Sequence, residues 1–390
     1  MSYVLRDYQQ KASDAAVNFF ANKAKKNNAI MVLPTGAGKS LVIADIASRL
    51  EGHALVFQPS KEILEQNYLK LCSYGILDCS IYSASFGRKE ISRITFATIG
   101  SVVNHPELFQ HFRNIIIDEC HLVNPKEGMY KSFLSMLKCK VLGLTATPYR
   151  LSSSRDFGSM LKFITRTRPC VFSEVIYQVQ ISTLLDMGYL SKLNYYPMNP
   201  LGWNELNLKV NTTGADYTDK SVVKEYEHID FYGFLVSIVQ RLMNPKSGVK
   251  RKGILVFTRF LKEAERLTWS IPGAVIVSGD TPKKEREHIL EAFKAGEIPV
   301  VANVGVLTTG FDYPELDTIV MAKPTMSLAL WYQIVGRAIR PHPNKEAGWI
   351  VDLCGNFKRF GEVKDLRLVD GGNGKWAVYS NNRQLTNVRF

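Results

Sequence analysis

Short apolar runs rich in β-branched residues alternate with helix-patterned segments along most of this 390-residue chain. A strand that reads as continuously apolar has to be covered on both faces, and a parallel sheet with crossover helices provides that cover. The alternation occurs twice. A first set of expected strands runs Ala29 to Leu33, Ala54 to Gln58, Ile94 to Ala97, Asn114 to Asp118 and Val141 to Thr145. A second set runs Gly253 to Thr258, Ala274 to Ser278, Val300 to Asn303, Thr318 to Ala322 and Trp349 to Leu353. The pattern predicts an α/β protein with two parallel-sheet lobes in tandem.

Between the two sets, Tyr149 to about Asp230 reads as irregular, with polar turns at Leu151-Ser-Ser-Ser154 and Asn211-Thr-Thr-Gly214. The expected division is therefore a first lobe over 1–150, a linker or accessory insertion over 151–230, a second lobe over 231–370 and a tail over 371–390 that reads as a small hairpin. The 49 Lys and Arg against 36 Asp and Glu leave a net charge of +13, a field suited to phosphate backbones and equally to acidic lipid or simple solubility. Six scattered cysteines form no C-x-x-C pair or metal-ligand spacing, so neither zinc nor a disulfide framework is indicated. Residues 1–10 lack the apolar core of a signal peptide and no run is long enough to span a bilayer. A cytoplasmic, non-membrane protein is expected, bacterial or in a phage-infected host. No heptad seam demands an oligomer, so a monomer is expected.

Residues Pro34-Thr-Gly-Ala-Gly-Lys-Ser40 follow an apolar strand and open a helix-patterned segment, the context a phosphate-binding loop requires. Glycines such as Gly36 and Gly38, with Thr35, let backbone N–H groups face phosphates; Lys39 can reach the β and γ oxygens and the Ser40 hydroxyl can ligate magnesium. Leu33 stands where the usual pattern begins with glycine. Some eighty residues on, Ile115-Ile-Ile-Asp-Glu-Cys-His121 ends a buried strand in two adjacent carboxylates. Asp118 suits the magnesium ion and Glu119 the attacking water. His121 either couples this end to Thr145-Ala-Thr-Pro148 or is an ordinary loop histidine.

With these residues in place, the chain resembles a superfamily 2 helicase of the DExH type over roughly residues 3 to 360. Leu5-Arg-Asp-Tyr-Gln9 resembles the adenine-recognition segment; the resemblance puts Arg6 and Gln9 beside the base. Phe57-Gln-Pro-Ser-Lys61 and Thr98-Ile-Gly-Ser101 are similar to motifs Ia and Ib, Asp118 to His121 is a DECH box, and Thr145 to Pro148 is similar to motif III. In the second half Val256-Phe-Thr-Arg259, Thr308-Thr-Gly-Phe-Asp312 and Gln333-Ile-Val-Gly-Arg-Ala-Ile-Arg340 resemble motifs IV, V and VI. All stand in family order. The resemblance implies two RecA-like lobes, ATP and Mg2+ as cofactors, Gly310 and Asp312 at the nucleotide, and Gln333, Arg337 and Arg340 as residues that complete catalysis when the lobes close. Arg337 and Arg340, read as sharing one helix turn, match arginine fingers, although arginine at this spacing is also a common solvated pattern.

A motor that travels along a strand contacts sugar and phosphate in preference to bases. Lys61, Thr98, Ser101, Thr258, Arg259 and Thr308 carry over to that role from the motif matches, while Ser and Thr at such junctions are as commonly helix caps. The basic runs Lys23 to Lys26 and Lys246 to Lys252 have no interleaved aromatics and read as solvated loops. Within the family, Phe172 through Leu190 and Gly279-Asp-Thr281 resemble DNA-acting branches: phage branch-migration helicases, repair helicases of the XPB kind and restriction-enzyme motors. These imply 3′ to 5′ travel on single-stranded, forked or branched DNA in recombination, replication or repair. Phe157 to Tyr232, with Arg166 to Arg168, Tyr195, Tyr196 and Trp203, is either a substrate-specific element or a linker. An RNA helicase shares the same motifs, and a non-motor ATP-switched clamp is the alternative of another class.

Overall fold

A computed structural model describes residues 4–154, 158–198, 206–212, 215–246, 248, 250–251, 253–308 and 313–388. Trp203, Gly310 and Asp312, named above, lie outside the described residues. The chain divides into two compact units, one of 1–150, 161–180 and 367–379, the other of 151–160, 181–366 and 380–390.

The first unit is built on β1 (Ala29–Val32), β2 (Ala54–Phe57), β3 (Cys79–Ser83), β4 (Arg88–Lys89), β5 (Ile94–Ala97), β6 (Asn114–Ile117) and β7 (Lys140–Thr145). In the segment read as irregular, β8 (Tyr149–Ser154) and β9 (Gly158–Phe163) pair with each other outside both large sheets, and β10 (Glu174–Gln178) follows. β10 joins the first sheet beside β1, giving the order β10-β1-β7-β6-β2-β5-β3-β4, parallel except for the β3–β4 edge. Strands β1, β2, β5 and, apart from its first residue, β6 are wholly buried, as continuous apolar runs require. Helix Asp7–Ala21 lays Tyr8, Ala12, Ala16 and Phe19 in one buried stripe, a spacing of three and four residues that follows the helical period.

In the second unit β11 (Lys192–Pro197), β12 (Ile254–Thr258), β13 (Ala274–Val277), β14 (Val300–Val304), β15 (Thr318–Ala322) and β16 (Ala347–Asp352) form a six-stranded sheet in the order β11-β16-β15-β12-β14-β13. Every pairing in it is parallel. Helices Asp219–His228 and Phe231–Met243 pack Val222, Tyr226, Phe231, Leu235 and Val239 onto it. Two tandem parallel-sheet lobes are thus the observed architecture. The expected irregular stretch contributes instead an edge strand to each: β10 to the first sheet and β11 to the second.

The sheet order places the chemistry. Ligands of open parallel sheets gather at the carboxyl ends of the strands. The segment 34–40 follows β1, Asp118-Glu119 follows β6 and Thr145 ends β7, and these three strands are adjacent. Lys61 follows β2 and Thr98 follows β5, which are the next neighbours on the far side of β6. One close approach makes this geometry possible. A Cβ on Gly143 in β7 would fall 2.5 Å from the Sγ and 2.6 Å from the Cβ of Cys120, the residue that buries the turn after Glu119. Gly143→Ala is expected to lower unfolding free energy by about 2–3 kcal/mol through overpacking. Urea unfolding measures it, and an unchanged midpoint would contradict the packing.

Candidate active site

The loop after β1 bends back through Gly36 and Gly38, both at positive φ (84° and 76°). At Gly38 even the space is taken: a Cβ would meet the Gln9 Nε2 at 2.5 Å, so conformation and contact both require glycine. The loop is held from the first helix. Tyr8 Oη donates to the Ala37 carbonyl at 2.9 Å and Gln9 Nε2 donates to the same oxygen at 3.0 Å. The other end of the Gln9 amide, Oε1, accepts from Arg6 N at 2.9 Å. The residue expected to read adenine is thus also the strut of the phosphate loop, and Tyr8 is a second strut that sequence reasoning missed. Arg6 itself is exposed, and Thr35 and Ser40 are half-buried.

Lys39 opens the helix Lys39–Arg49 and reaches across to the end of β6, where its Nζ lies 2.6 Å from Glu119 Oε1. Their side chains are only 14% and 19% exposed, so the pair is largely desolvated. Glu119 takes a left-handed conformation (φ 48°, ψ 48°), which turns the chain sharply after the strand and sends the adjacent carboxylates different ways. Asp118 Oδ1 accepts from the Glu119 N–H at 2.9 Å. Burial would raise the Glu119 carboxyl, but the Lys39 ammonium and His121 hold it well below the usual range, to about 2. Asp118 goes the other way: burial and the neighbouring Glu119 charge push it up to about 7 against the pull of Lys39. For Lys39, the two carboxylates outweigh burial and keep the ammonium charged. The Glu119 carboxyl is therefore ionised at neutral pH.

His121 Nδ1 lies 2.9 Å from Thr145 Oγ1, 3.1 Å from Thr147 Oγ1 and 3.3 Å from Glu119 Oε2. The His121 ring bridges Glu119 and the end of β7. A second link was not legible in the sequence: Arg150 donates to the Val123 carbonyl at 2.6 Å.

The nucleic-acid candidates separate into two groups. Thr98 and Ser101 share a 3.0 Å hydroxyl contact, and Ser101 Oγ accepts from Ala84 N at 3.2 Å. Lys61 donates to the Ser85 carbonyl at 2.6 Å with its ammonium 4.2 Å from the centre of the Phe86 ring. The 83–86 turn therefore joins the two motif ends, a neighbourhood the sequence did not reveal. In the second unit, Thr258 is 1% exposed and donates its hydroxyl to the Asn303 carbonyl. Arg259 is spent on Asp219 (2.8 Å), Asp216 (3.1 Å) and the Tyr217 carbonyl (2.7 Å). Neither side chain is presented to a strand here. The Thr258 hydroxyl is held by the neighbouring strand, and Arg259 pins the 216–219 segment to the sheet.

Thr308 offers its carbonyl to Arg337, whose Nη2 donates at 2.8 Å. Gln333 lies half-buried on the helix Leu328–Val335. That helix ends at Val335, so Arg337 and Arg340 sit in the turn beyond it; the expectation that they share a helix turn is corrected. Gly336 N still reaches Tyr332 O at 2.9 Å, but Arg337 and Ala338 close three-residue turns to the Ile334 and Val335 carbonyls, both at 3.0 Å. Arg337 is 8% exposed, and burial lowers the Arg340 guanidinium from its usual value. Among the described residues no three His, Cys, Asp or Glu gather to hold a metal unaided. No helix among them is long and apolar enough to cross a membrane.

Comparison with known proteins agrees with this geometry. The family model described as type III restriction enzyme, res subunit, matches residues 2–150, and that of the helicase conserved C-terminal domain matches 235–342. IRC3 of Saccharomyces cerevisiae is 25% identical over 90% of this chain and 52% of its own length. The DNA 3′-5′ translocase XPB2 of Sulfurisphaera tokodaii is 27% identical over 88% of this chain and 80% of its own. The chain thus spans about half the length of the yeast relative. Among solved structures, the type ISP restriction-modification enzyme LlaBIII bound to DNA superposes with a TM-score of 0.66 at 18% identity, over 90% of this chain and 28% of that one.

Proposed function

We propose that the chain, whose two parts match the models of the type III restriction enzyme res subunit and of the helicase conserved C-terminal domain, is an ATP-hydrolysing superfamily 2 helicase, a DNA motor that acts on single-stranded, forked or branched DNA in recombination, replication or repair and travels 3′ to 5′. The observation that carries the reading is the chain of contacts Lys39–Glu119–His121–Thr145, which ties the phosphate-facing ammonium and the base to the end of a neighbouring strand. The choice of DNA leans on the XPB2 relative, named as a DNA translocase.

In the proposed cycle Gln9 and Arg6 take the adenine, the backbone N–H groups of 35–40 take the phosphates, and Lys39 leaves Glu119 for the β and γ oxygens. Ser40 and Asp118 suit magnesium, a hydroxyl and a carboxylate being the hard oxygen donors that ion takes when phosphates and water fill its other positions. When bound there it would neutralise charge on the transferred phosphoryl group. Released from Lys39, Glu119 accepts a proton from the attacking water. Gln333, Arg337 and Arg340, with Gly310 and Asp312, complete the site on closure. Lys61, Thr98, Ser101 and Thr308 hold sugar and phosphate. We place the protein in the cytoplasm as a monomer.

The test is ATP turnover at fixed salt with no nucleic acid, single-stranded DNA, duplex, forked or four-way DNA, and RNA, with Lys39→Ala as the blank. Stimulation should be greatest with branched or partly single-stranded DNA and accompanied by strand displacement. RNA as the best activator, or ATP-dependent binding without displacement, would replace this reading with an RNA helicase or a passive clamp.

A further inference from the structure

The turn bearing Arg337 and Arg340 lies beyond the end of its helix, so something other than helical hydrogen bonds has to fix it. Lys345 does so from the loop that follows. It is 7% exposed, and its ammonium donates to three carbonyls: Pro314 at 2.7 Å, Leu316 at 3.1 Å and Ala338 at 3.1 Å. An ammonium has three N–H donors, and all three are used. Ala338 lies between the two arginines, while Pro314 and Leu316 belong to the turn that follows Asp312.

A second staple runs beside it. Glu315 accepts from Asn344 Nδ2 at 2.9 Å and pairs with His342 Nδ1 at 3.2 Å. The 342–345 loop is closed on itself by an isolated bridge between His342 and Lys345. Burial, with the Arg340 charge adding and Asp317 opposing, lowers the Lys345 ammonium to about 8. A buried cation solvated by main-chain oxygens alone costs more than an apolar side chain of the same length. What it gives in return is geometry, since one point charge draws two turns to a fixed separation.

We propose that Lys345 is a positioning residue for the arginine pair: it locks the 336–340 turn to the 313–316 turn, so that Arg337 and Arg340 are held in one fixed arrangement when they meet the nucleotide. The inference rests on the reading of Arg337 and Arg340 as residues that act on the ATP phosphates. Lys345 touches neither substrate nor cofactor and works only through them.

The test uses the full chain with Lys345→Met, which keeps length and removes the donors. DNA-stimulated kcat should fall about 10- to 100-fold, the scale of a misplaced catalytic group, while KM for ATP and the affinity for DNA stay within about twofold. A lysine that merely stabilises the lobe would lower Tm and leave kcat per folded molecule unchanged, and that outcome overturns the proposal. Glu315→Ala cuts only the partly exposed staple and should lower kcat about 3-fold, the scale of one such pair; it keeps the test open if Lys345→Met fails to fold, and an unchanged kcat then counts against the idea. In an Arg337→Ala, Arg340→Ala background Lys345→Met should cost nothing further, since it acts only through that pair. If Arg337→Ala alone turns over normally, the arginine reading has failed. If Arg337→Ala is inactive and Lys345→Met is not impaired, this inference has failed and the arginine reading stands.

Discussion

Glu119→Gln is expected to bind ATP at least as tightly as the parent protein and to hydrolyse it about 10²- to 10⁴-fold more slowly, the range for losing a positioned general base. Tighter binding follows from the pair seen here. With Lys39 Nζ 2.6 Å from Glu119 Oε1, ATP has to displace a carboxylate to reach the ammonium, and the glutamine variant removes that competitor. The same change weakens the nucleotide-free protein. Breaking one side of a buried ion pair costs up to about 3–5 kcal/mol, but partial exposure and a ready substitute reduce it. The substitute is Asp118, which Glu119 pushes up and Lys39 pulls down; without the Glu119 charge it ionises more readily and takes over as the counter-ion. Roughly 1–2 kcal/mol of lost stability is therefore expected, recovered when ATP and magnesium are added, because the phosphates then satisfy Lys39. Thermal melting with and without nucleotide, together with steady-state turnover, gives both halves. Rapid turnover retained by Glu119→Gln would remove the residue from the chemistry, and a melting point that nucleotide fails to restore would contradict the competition between ATP and Glu119.

The strands that position this chemistry were the legible part of the sequence, and the reason is burial. β1, β2, β5, β6 and β7, and β12 to β16, are the strands read from their apolar runs, and observed and expected ends agree within about two residues. β3, β10 and β11 have no counterpart among the expected strands, nor do the short β4 and the separate pair β8 and β9. β10, Glu174-Val-Ile-Tyr-Gln178, and β11, Lys192-Leu-Asn-Tyr-Tyr-Pro197, lie at the edges of their sheets and are only partly covered, so polar residues interrupt the apolar run that marks a central strand. β3, with its two serines, sits next to the other edge. Edge position explains why the stretch from Tyr149 to Asp230 reads as irregular although it completes both sheets.

The site divides by a different rule. Residues that act through a fixed spacing, Lys39 with Ser40 and Asp118 with Glu119, are visible because phosphate chemistry dictates the spacing. Tyr8, Arg150 and Lys345 hold main-chain carbonyls across gaps of 29, 27 and 7 to 31 residues, and only the folded chain shows which carbonyl each one meets. Thr258 and Arg259 show the converse. They match a motif in sequence, yet the Arg259 guanidinium is closed by Asp216 and Asp219, acidic residues forty positions upstream that the motif does not contain.

Arg337→Ala should lower DNA-stimulated turnover by about 10³-fold, the lower end of what a cis or trans arginine finger contributes to phosphoryl transfer. ATP affinity in the absence of DNA should change by less than about twofold, since the base and most of the phosphate contacts come from Gln9 and the 34–40 loop. The argument starts from what the guanidinium does in this structure. Its Nη2 holds the Thr308 carbonyl at 2.8 Å, four residues before Asp312 and within the motif that resembles the nucleotide-sensing segment of the second lobe. The side chain is therefore ordered before any phosphate arrives, and less conformational entropy is lost when it engages one. Losing that hydrogen bond costs only about 1 kcal/mol of stability, too little to unfold the lobe, so a fall in turnover of three orders of magnitude reports chemistry rather than folding. Arg337→Lys should not restore the rate, because an ammonium cannot hold Thr308 and a phosphate oxygen with one planar fork. Single-turnover hydrolysis separates the outcomes. A slow chemical step in Arg337→Ala places the arginine at the γ-phosphate, whereas normal hydrolysis without strand displacement would make it a coupling residue and leave the rate acceleration to the first unit alone.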